Sequence, residues 1–275
     1  MKAGWRLLWM KRTGLKEINV SDLSRYDYCP RAVYLTKVLT VKPQPTKAQL
    51  RGMIEHAVLK ELSLREAKIL KAVEDSDDVE SILQGEIQSM LSDIPYIYGE
   101  WWGEGHSEIL DEMEPDLVVE GRLLGEKIKS MIADMGLEKS LEYVTPWKTE
   151  YTVKSDLLMM KGRVDKIMRR ETLLPLELKT GNPPENIRQG HRLQVCGYSM
   201  LLEEELGEKI PYGLVEYARV HETRPVLNTE KLRRQVIYIR DAVFDLLGGD
   251  IPDVCPHGLS KKCDACSLME ECFKI

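Results

Sequence analysis

The stretch "LLPLELKTGNPPENIRQGHRLQVCGYSML", residues 173–201, decides the fold. It opens as an apolar run in which Glu177 and Lys179 flank Leu178. Residues two apart in a strand point to the same side, so Glu177 and Lys179 share a face. Leu174, Leu176 and Leu178 make the strand look buried. Gly181-Asn182-Pro183-Pro184 then breaks it, and a helix is expected from about 185 to 206. Gln194 and Tyr198, four residues apart, fall on one face of that helix. Burying a carboxylate and an ammonium is expensive unless they are paired or bind a metal. A salt bridge closing a strand end and a reactive site are the two readings.

Working outward, "WKTEYTVKS" (147–155), "LLMMKGRVDKIMRR" (157–170) and "TLLPLELKT" (172–180) read as three strands in a meander. "YGLVEYARVH" (212–221) is another strand. "TEKLRRQVIYIRDAVFDLLGG" (229–249) is a long amphipathic helix stopped by Gly248 and Gly249. Upstream, residues 18–40 read as a turn and short helices with a break at Cys29-Pro30. Thr46 and Gln49 form a capping box before an apolar stripe of Leu50, Met53, Ile54, Ala57 and Val58. Residues 76–140 read as further helices, broken at "IPYIYGEWWGEGH" (94–106). This order of elements implies an α/β layered core.

The chain has 275 residues, room for one large domain or two small ones. No apolar run is long enough to span a membrane, and "MKAGWRLLWMKR" is a poor signal peptide, so a soluble, cytoplasmic protein is expected. The net charge of −6 is unevenly spread. Of the 45 Asp and Glu, 15 fall between Glu74 and Glu120, where there is no Lys or Arg, leaving the remainder at +9. A charge run is ordinarily a solvated face, and the basic remainder is compatible with a nucleic-acid groove.

Asp165 in "KGRVDKI" lies on the strand before Glu177, within reach of cross-strand pairing. Two carboxylates converging beside a lysine suit phosphodiester hydrolysis. Their oxygens hold Mg²⁺ or Mn²⁺, and the lysine orients water and offsets phosphate charge. His56, one turn after Gly52 on the upstream helix, is a candidate metal ligand or a surface residue. Gln194 and Tyr198 can meet a phosphate or a base, or pack on the sheet. Arg188 and Arg192 precede them on roughly the same face and favour phosphate contact.

Four of the six cysteines, Cys255, Cys263, Cys266 and Cys272, lie in the last 21 residues. Cys263, Cys266 and Cys272 can share a metal centre, with Cys255 or the distant Cys29 as fourth ligand. An iron–sulfur cluster, a structural zinc and unligated thiols remain open. Cys196, inside the Gln-Tyr helix, reads as a packed thiol.

Taken in order, "LSRYDYCPRAVYL", "RGMIEHAVL", "KGRVDKI", "LELKTG", "QVCGYSML" and "KCDACSLMEEC" resemble the RecB-like nucleases of the PD-(D/E)xK superfamily. Within it they are most similar to the CRISPR-associated exonuclease family Cas-four. The resemblance implies a restriction-endonuclease-like core, a central mixed sheet flanked by helices. It implies one RecB-like nuclease domain over 1–275, with an acidic helical insertion at 74–145 and a cysteine-rich segment at 250–275. His56, Asp165, Glu177 and the Leu178 carbonyl would bind Mg²⁺ or Mn²⁺, with Lys179 assisting catalysis. Gln194 and Tyr198 would position DNA. Cys29, Cys263, Cys266 and Cys272 would hold a [4Fe–4S] cluster that clips the N- and C-terminal segments together, leaving Cys255 spare. The implied activity is metal-dependent exonucleolytic cleavage of DNA, preferably single-stranded, trimming spacer precursors with the CRISPR integrase. The alternatives are a repair or recombination nuclease of the same superfamily and a catalytically silent DNA-binding adaptor. Family members are often much shorter, and the excess here falls mainly in the acidic helical segment.

Overall fold

The computed structural model describes residues 17–42, 45, 47–73, 79–99, 107–254, 258, 260–264 and 266–275. Thr46 of the expected capping box, residues 100–106 of the tryptophan-rich loop, and Cys255 lie outside the described residues. The chain runs β1 (Ile18–Asn19), α1 (Val20–Tyr28), α2 (Pro30–Lys37), α3 (Lys47–Ala72), α4 (Val79–Ile97), α5 (Ser107–Met135) and α6 (Leu137–Val144). It continues with β2 (Lys148–Ser155), β3 (Met160–Arg169), β4 (Leu173–Lys179), α7 (Gln189–Leu206), β5 (Tyr212–Tyr217) and β6 (Glu222–Leu227). It closes with α8 (Glu230–Leu247), α9 (Ser260–Asp264) and α10 (Met269–Phe273).

The expected meander is present. β2, β3 and β4 pair antiparallel in sequence order. β5 then joins β4 in parallel, which requires the crossover that α7 supplies. β6 returns antiparallel on β5, so the sheet is mixed. Two strands go beyond the sequence reading. β1 is a two-residue parallel addition at the start of β3, too short to show a periodicity. β6 contains Pro225, which cannot donate a ladder hydrogen bond and is tolerated because β6 is an edge.

The helix after β4 begins at Gln189 rather than near 185. Arg224 on β6 explains the delay. Its Nη1 donates to the carbonyls of Pro184 and Glu185, at 2.6 and 3.2 Å, holding them out of a helical turn. At the other end α8 behaves as its sequence dictates. The Thr229 hydroxyl caps Leu232 N, and Gly248 and Gly249 end the helix, Gly249 with φ 110°.

One face of the sheet packs on α1, α7 and α8 through Val20, Leu23, Val164, Leu193, Leu201 and Phe244. Helices α3 to α6 build a second core, including Ile54, Leu62, Leu83, Ile87, Met113 and Ile128. Leu64 of α3 then meets Met168, Leu176 and Leu178 on the opposite face of the sheet. No helix among the described residues is long and apolar enough to cross a membrane.

A buried polar seam joins α3 to the sheet. Lys166 Nζ lies 2.6 Å from Ser63 Oγ and 3.2 Å from Glu216 Oε2, and Ser63 donates to Glu216 Oε1 at 2.9 Å. Burial works against ionised Glu216, but the Lys166 and Lys127 ammoniums win and hold its carboxyl below the usual range. Removing one partner strands the other charge. Lys166→Met is expected to cost about 3–5 kcal/mol in urea unfolding, and Lys166→Met with Glu216→Leu to recover most of it.

Candidate active site

Three elements converge at the carboxyl end of β4. Lys166 of β3 pairs with Leu176, so one step further along the register Asp165 faces Glu177. The Leu178 backbone N–H donates to Asp165 Oδ2 at 2.8 Å, which fixes the aspartate against the strand. Helix α3 brings His56 and Lys60, one turn apart, and α7 brings Gln194 and Tyr198. Together they line a recess of about 390 Å³.

The E-x-K pair is held from α7. Lys179 Nζ lies 2.8 Å from Glu177 Oε1. Gln194 bridges both: its Oε1 accepts from Lys179 at 3.0 Å and its Nε2 donates to Glu177 at 2.6 Å. Nε2 also donates to the Tyr198 hydroxyl at 3.2 Å. Tyr198 is only 4% exposed, so it offers no free stacking face. Gln194 and Tyr198 therefore brace the charged strand end from beneath. Gly162 of β3 makes room for this. A Cβ there would stand 2.5 Å from Tyr198 Cε1, closer than carbon atoms pack.

His56 stands at the mouth, exposed as a residue, but its Nδ1 edge is turned inward, 2.7 Å from Thr180 Oγ1. Partial burial and the Lys60 ammonium hold it below the usual imidazole range, leaving it neutral and able to ligate. Glu177 is 6% exposed, and burial, reinforced by the Asp165 carboxylate, pushes its pKa up to about 7 against the pull of Lys179.

The sequence reading placed His56, Asp165, Glu177, Leu178, Lys179, Gln194 and Tyr198 together, and all line the recess. Arg188 and Arg192 do not; both are exposed, at and just after the start of α7. Lys60, Glu150 and Arg163 line the recess and were missed. Lys60 was findable as the residue four after His56. Glu150 carried no local signal, because it reaches the site through β2–β3 register.

The cysteines gather elsewhere. Cys29 joins α1 to α2, while Cys263, Cys266 and Cys272 come from the C-terminal segment, and all four border one recess with Leu35 and Leu268. Arg31 ties the two ends together. Its guanidinium donates to Cys272 Sγ at 3.1 Å and to the carbonyls of Pro252, Cys272 and Ile275 at 2.6, 3.0 and 2.7 Å. Cys196 is fully buried in α7, and burial pushes its thiol up to about 12, so it is an inert packed residue. Among the described residues, no three His, Cys, Asp or Glu side chains are gathered tightly enough to hold a metal as they stand.

The Glu177 shift has a pH signature. Its carboxyl is raised in the fold, so its contribution to stability is present below about pH 4.5 and is lost as pH rises through about 7. In chelator-treated protein, Glu177→Gln should melt higher than wild type at pH 8, by roughly 3 kcal/mol in stability, with the gap closing near pH 5. Equal melting curves at both pH values would show that Glu177 is not strained by burial.

No curated protein matches the chain. The family model described as CRISPR-associated exonuclease Csa1 matches residues 3–274, nearly the whole sequence and every residue of the recess. The chain belongs to the CRISPR-associated exonuclease Csa1 family.

Proposed function

We propose that this chain is a metal-dependent DNA exonuclease with a [4Fe–4S] cluster, acting preferentially on single-stranded DNA. Its role is to trim spacer precursors in CRISPR adaptation, alongside the integrase. The observation that carries the reading is the buried, facing pair Asp165 and Glu177 beside Lys179. Family membership supports DNA as the substrate.

His56, Asp165, Glu177 and the Leu178 carbonyl would hold Mg²⁺ or Mn²⁺. Hard oxygens with one neutral imidazole suit such a cation. The fit is supported by Glu177, a buried carboxyl that its own lysine leaves undercompensated. A bound divalent cation polarises the phosphodiester and lowers the pKa of water. Lys179 has two of its ammonium hydrogens engaged by Glu177 and Gln194. The third is left to orient the attacking water and offset charge on the phosphate. Gln194 keeps Lys179 from swinging away, and Tyr198 props Gln194. Arg188 and Arg192, exposed at the start of α7, would meet backbone phosphates and so position the strand.

Cys29, Cys263, Cys266 and Cys272 would hold the cluster. The donor set is all sulfur, the surroundings are apolar, and Arg31 Nε donates to Cys272 Sγ, holding that sulfur at the recess. Binding there would contribute folding energy by joining chain ends. On this reading residues 1–275 form one RecB-like nuclease domain with a restriction-endonuclease-like core, clipped at the cysteines.

The test is cleavage of end-labelled single-stranded and duplex DNA with Mn²⁺ or Mg²⁺, using anaerobically purified protein. Wild type should cut the single strand, and Lys179→Ala should lose at least about a thousandfold in rate with its melting curve and colour intact. Cleavage by Lys179→Ala at the wild-type rate would overturn the mechanism. Metal-independent binding without cleavage would make the protein an adaptor instead. Cys272→Ser should lose brown colour and iron together, whereas Cys196→Ser should keep both.

A further inference from the structure

Asp165 has only two carboxylate oxygens, and the fold has already committed both. Oδ2 accepts the Leu178 backbone N–H. Oδ1 lies 2.5 Å from Lys60 Nζ. Lys60 also lies 2.9 Å from Glu150 Oε1, so its ammonium bridges two carboxylates from adjacent strands as a small cation would. A cation bound through Asp165 Oδ1 competes with Lys60 for that oxygen.

The charge balance says the same. Glu150, Asp165 and Glu177 face Lys60, Arg163 and Lys179 around the recess, three carboxylates against three cations. A divalent cation added to that set brings an excess of two positive charges, so it repels the resident cations and competes with them for the carboxylates. Lys179 is doubly tied to Glu177 and Gln194. Arg163 is exposed and pairs with the second oxygen of Glu150. Lys60 is the cation in contact with Asp165 that has another partner to fall back on.

Glu150 is held there at a cost. The β2–β3 ladder pairs Thr149 with Lys166 and Tyr151 with Val164 but skips Glu150, which would oppose Asp165. Its φ is 51°, in the left-handed region that disfavours any residue but glycine.

We propose that Lys60 is an internal occupant of the metal position, displaced onto Glu150 when a divalent cation takes Asp165 Oδ1. Lys60 and Glu150 are then positioning residues that set metal affinity rather than ligands. This inference rests on the metal-dependent reading of the site, and its test separates the two.

The measurement is Mn²⁺ binding to DNA-free protein, read from the electron paramagnetic resonance signal of free Mn²⁺. Wild type is set beside Lys60→Met, Lys60→Gln, Glu150→Gln, Lys60→Met with Glu150→Gln, and Asp165→Asn. Both Lys60 variants should bind Mn²⁺ at least about tenfold more tightly, since a competing charge within contact distance is gone. Glu150→Gln alone should bind about tenfold more weakly, because Lys60 then has only Asp165 to hold. In the Lys60→Met background Glu150→Gln should weaken binding by clearly less than the same change does in wild type. Asp165-dependent binding of equal or lower strength in both Lys60 variants overturns the inference while leaving the metal site standing. A loss from Glu150→Gln in the Lys60→Met background as large as that in wild type, or larger, overturns it too, by making Glu150 a ligand. Absence of any Asp165-dependent binding overturns the metal reading and this inference with it.

Discussion

The structure turns on one constraint: Glu177 ends a buried strand directly across from Asp165, and two buried carboxylates cannot face one another unassisted. Each neighbouring element supplies part of the compensation. The strand's own Lys179 gives a first cation, the backbone of Leu178 gives a donor, and α3 and α7 close the recess from opposite sides with Lys60 and Gln194. What would be a defect in a structural core becomes a place where positive charge is wanted, which is the property a phosphodiester cutter needs.

The acidic segment has a related logic. Glu80 and Glu86 on α4, and Glu108, Glu112 and Asp116 on α5, do not simply face solvent. They meet Lys129, Arg65, Lys68, Lys47 and Arg51, four of which lie on α3. Each such pair is worth little where it is exposed. Together they match an acid-rich pair of helices to the basic edge of the helix that carries His56 and Lys60. The second core beneath them makes α3 a wall fixed on both sides, and that rigidity is what places two side chains one turn apart at the mouth of the recess.

Much of this was legible in the sequence, for identifiable reasons. Strand periodicity around Glu177, the Gly-Asn-Pro-Pro break and the double glycine after α8 act locally, so they could be read locally. The convergence of His56, Asp165, Glu177, Lys179, Gln194 and Tyr198 followed from motif order, since each motif sits at a fixed place on its element. Glu150 and Arg163 were not legible, because strand register and a left-handed backbone bring them in and neither leaves a periodic trace. The bracing role of Tyr198 was hidden too. Its ring is packed inward against Gly162, on another strand, where a Cβ would not fit. The late start of α7 depended on Arg224, some forty residues downstream.

The Arg31 clasp has a consequence for how the two segments part. One guanidinium meets groups at 252, 272 and 275, more than two hundred residues along the chain, through four hydrogen bonds. Drawing α2 away from the cysteine-rich segment breaks all four together. The junction therefore yields as a unit rather than contact by contact.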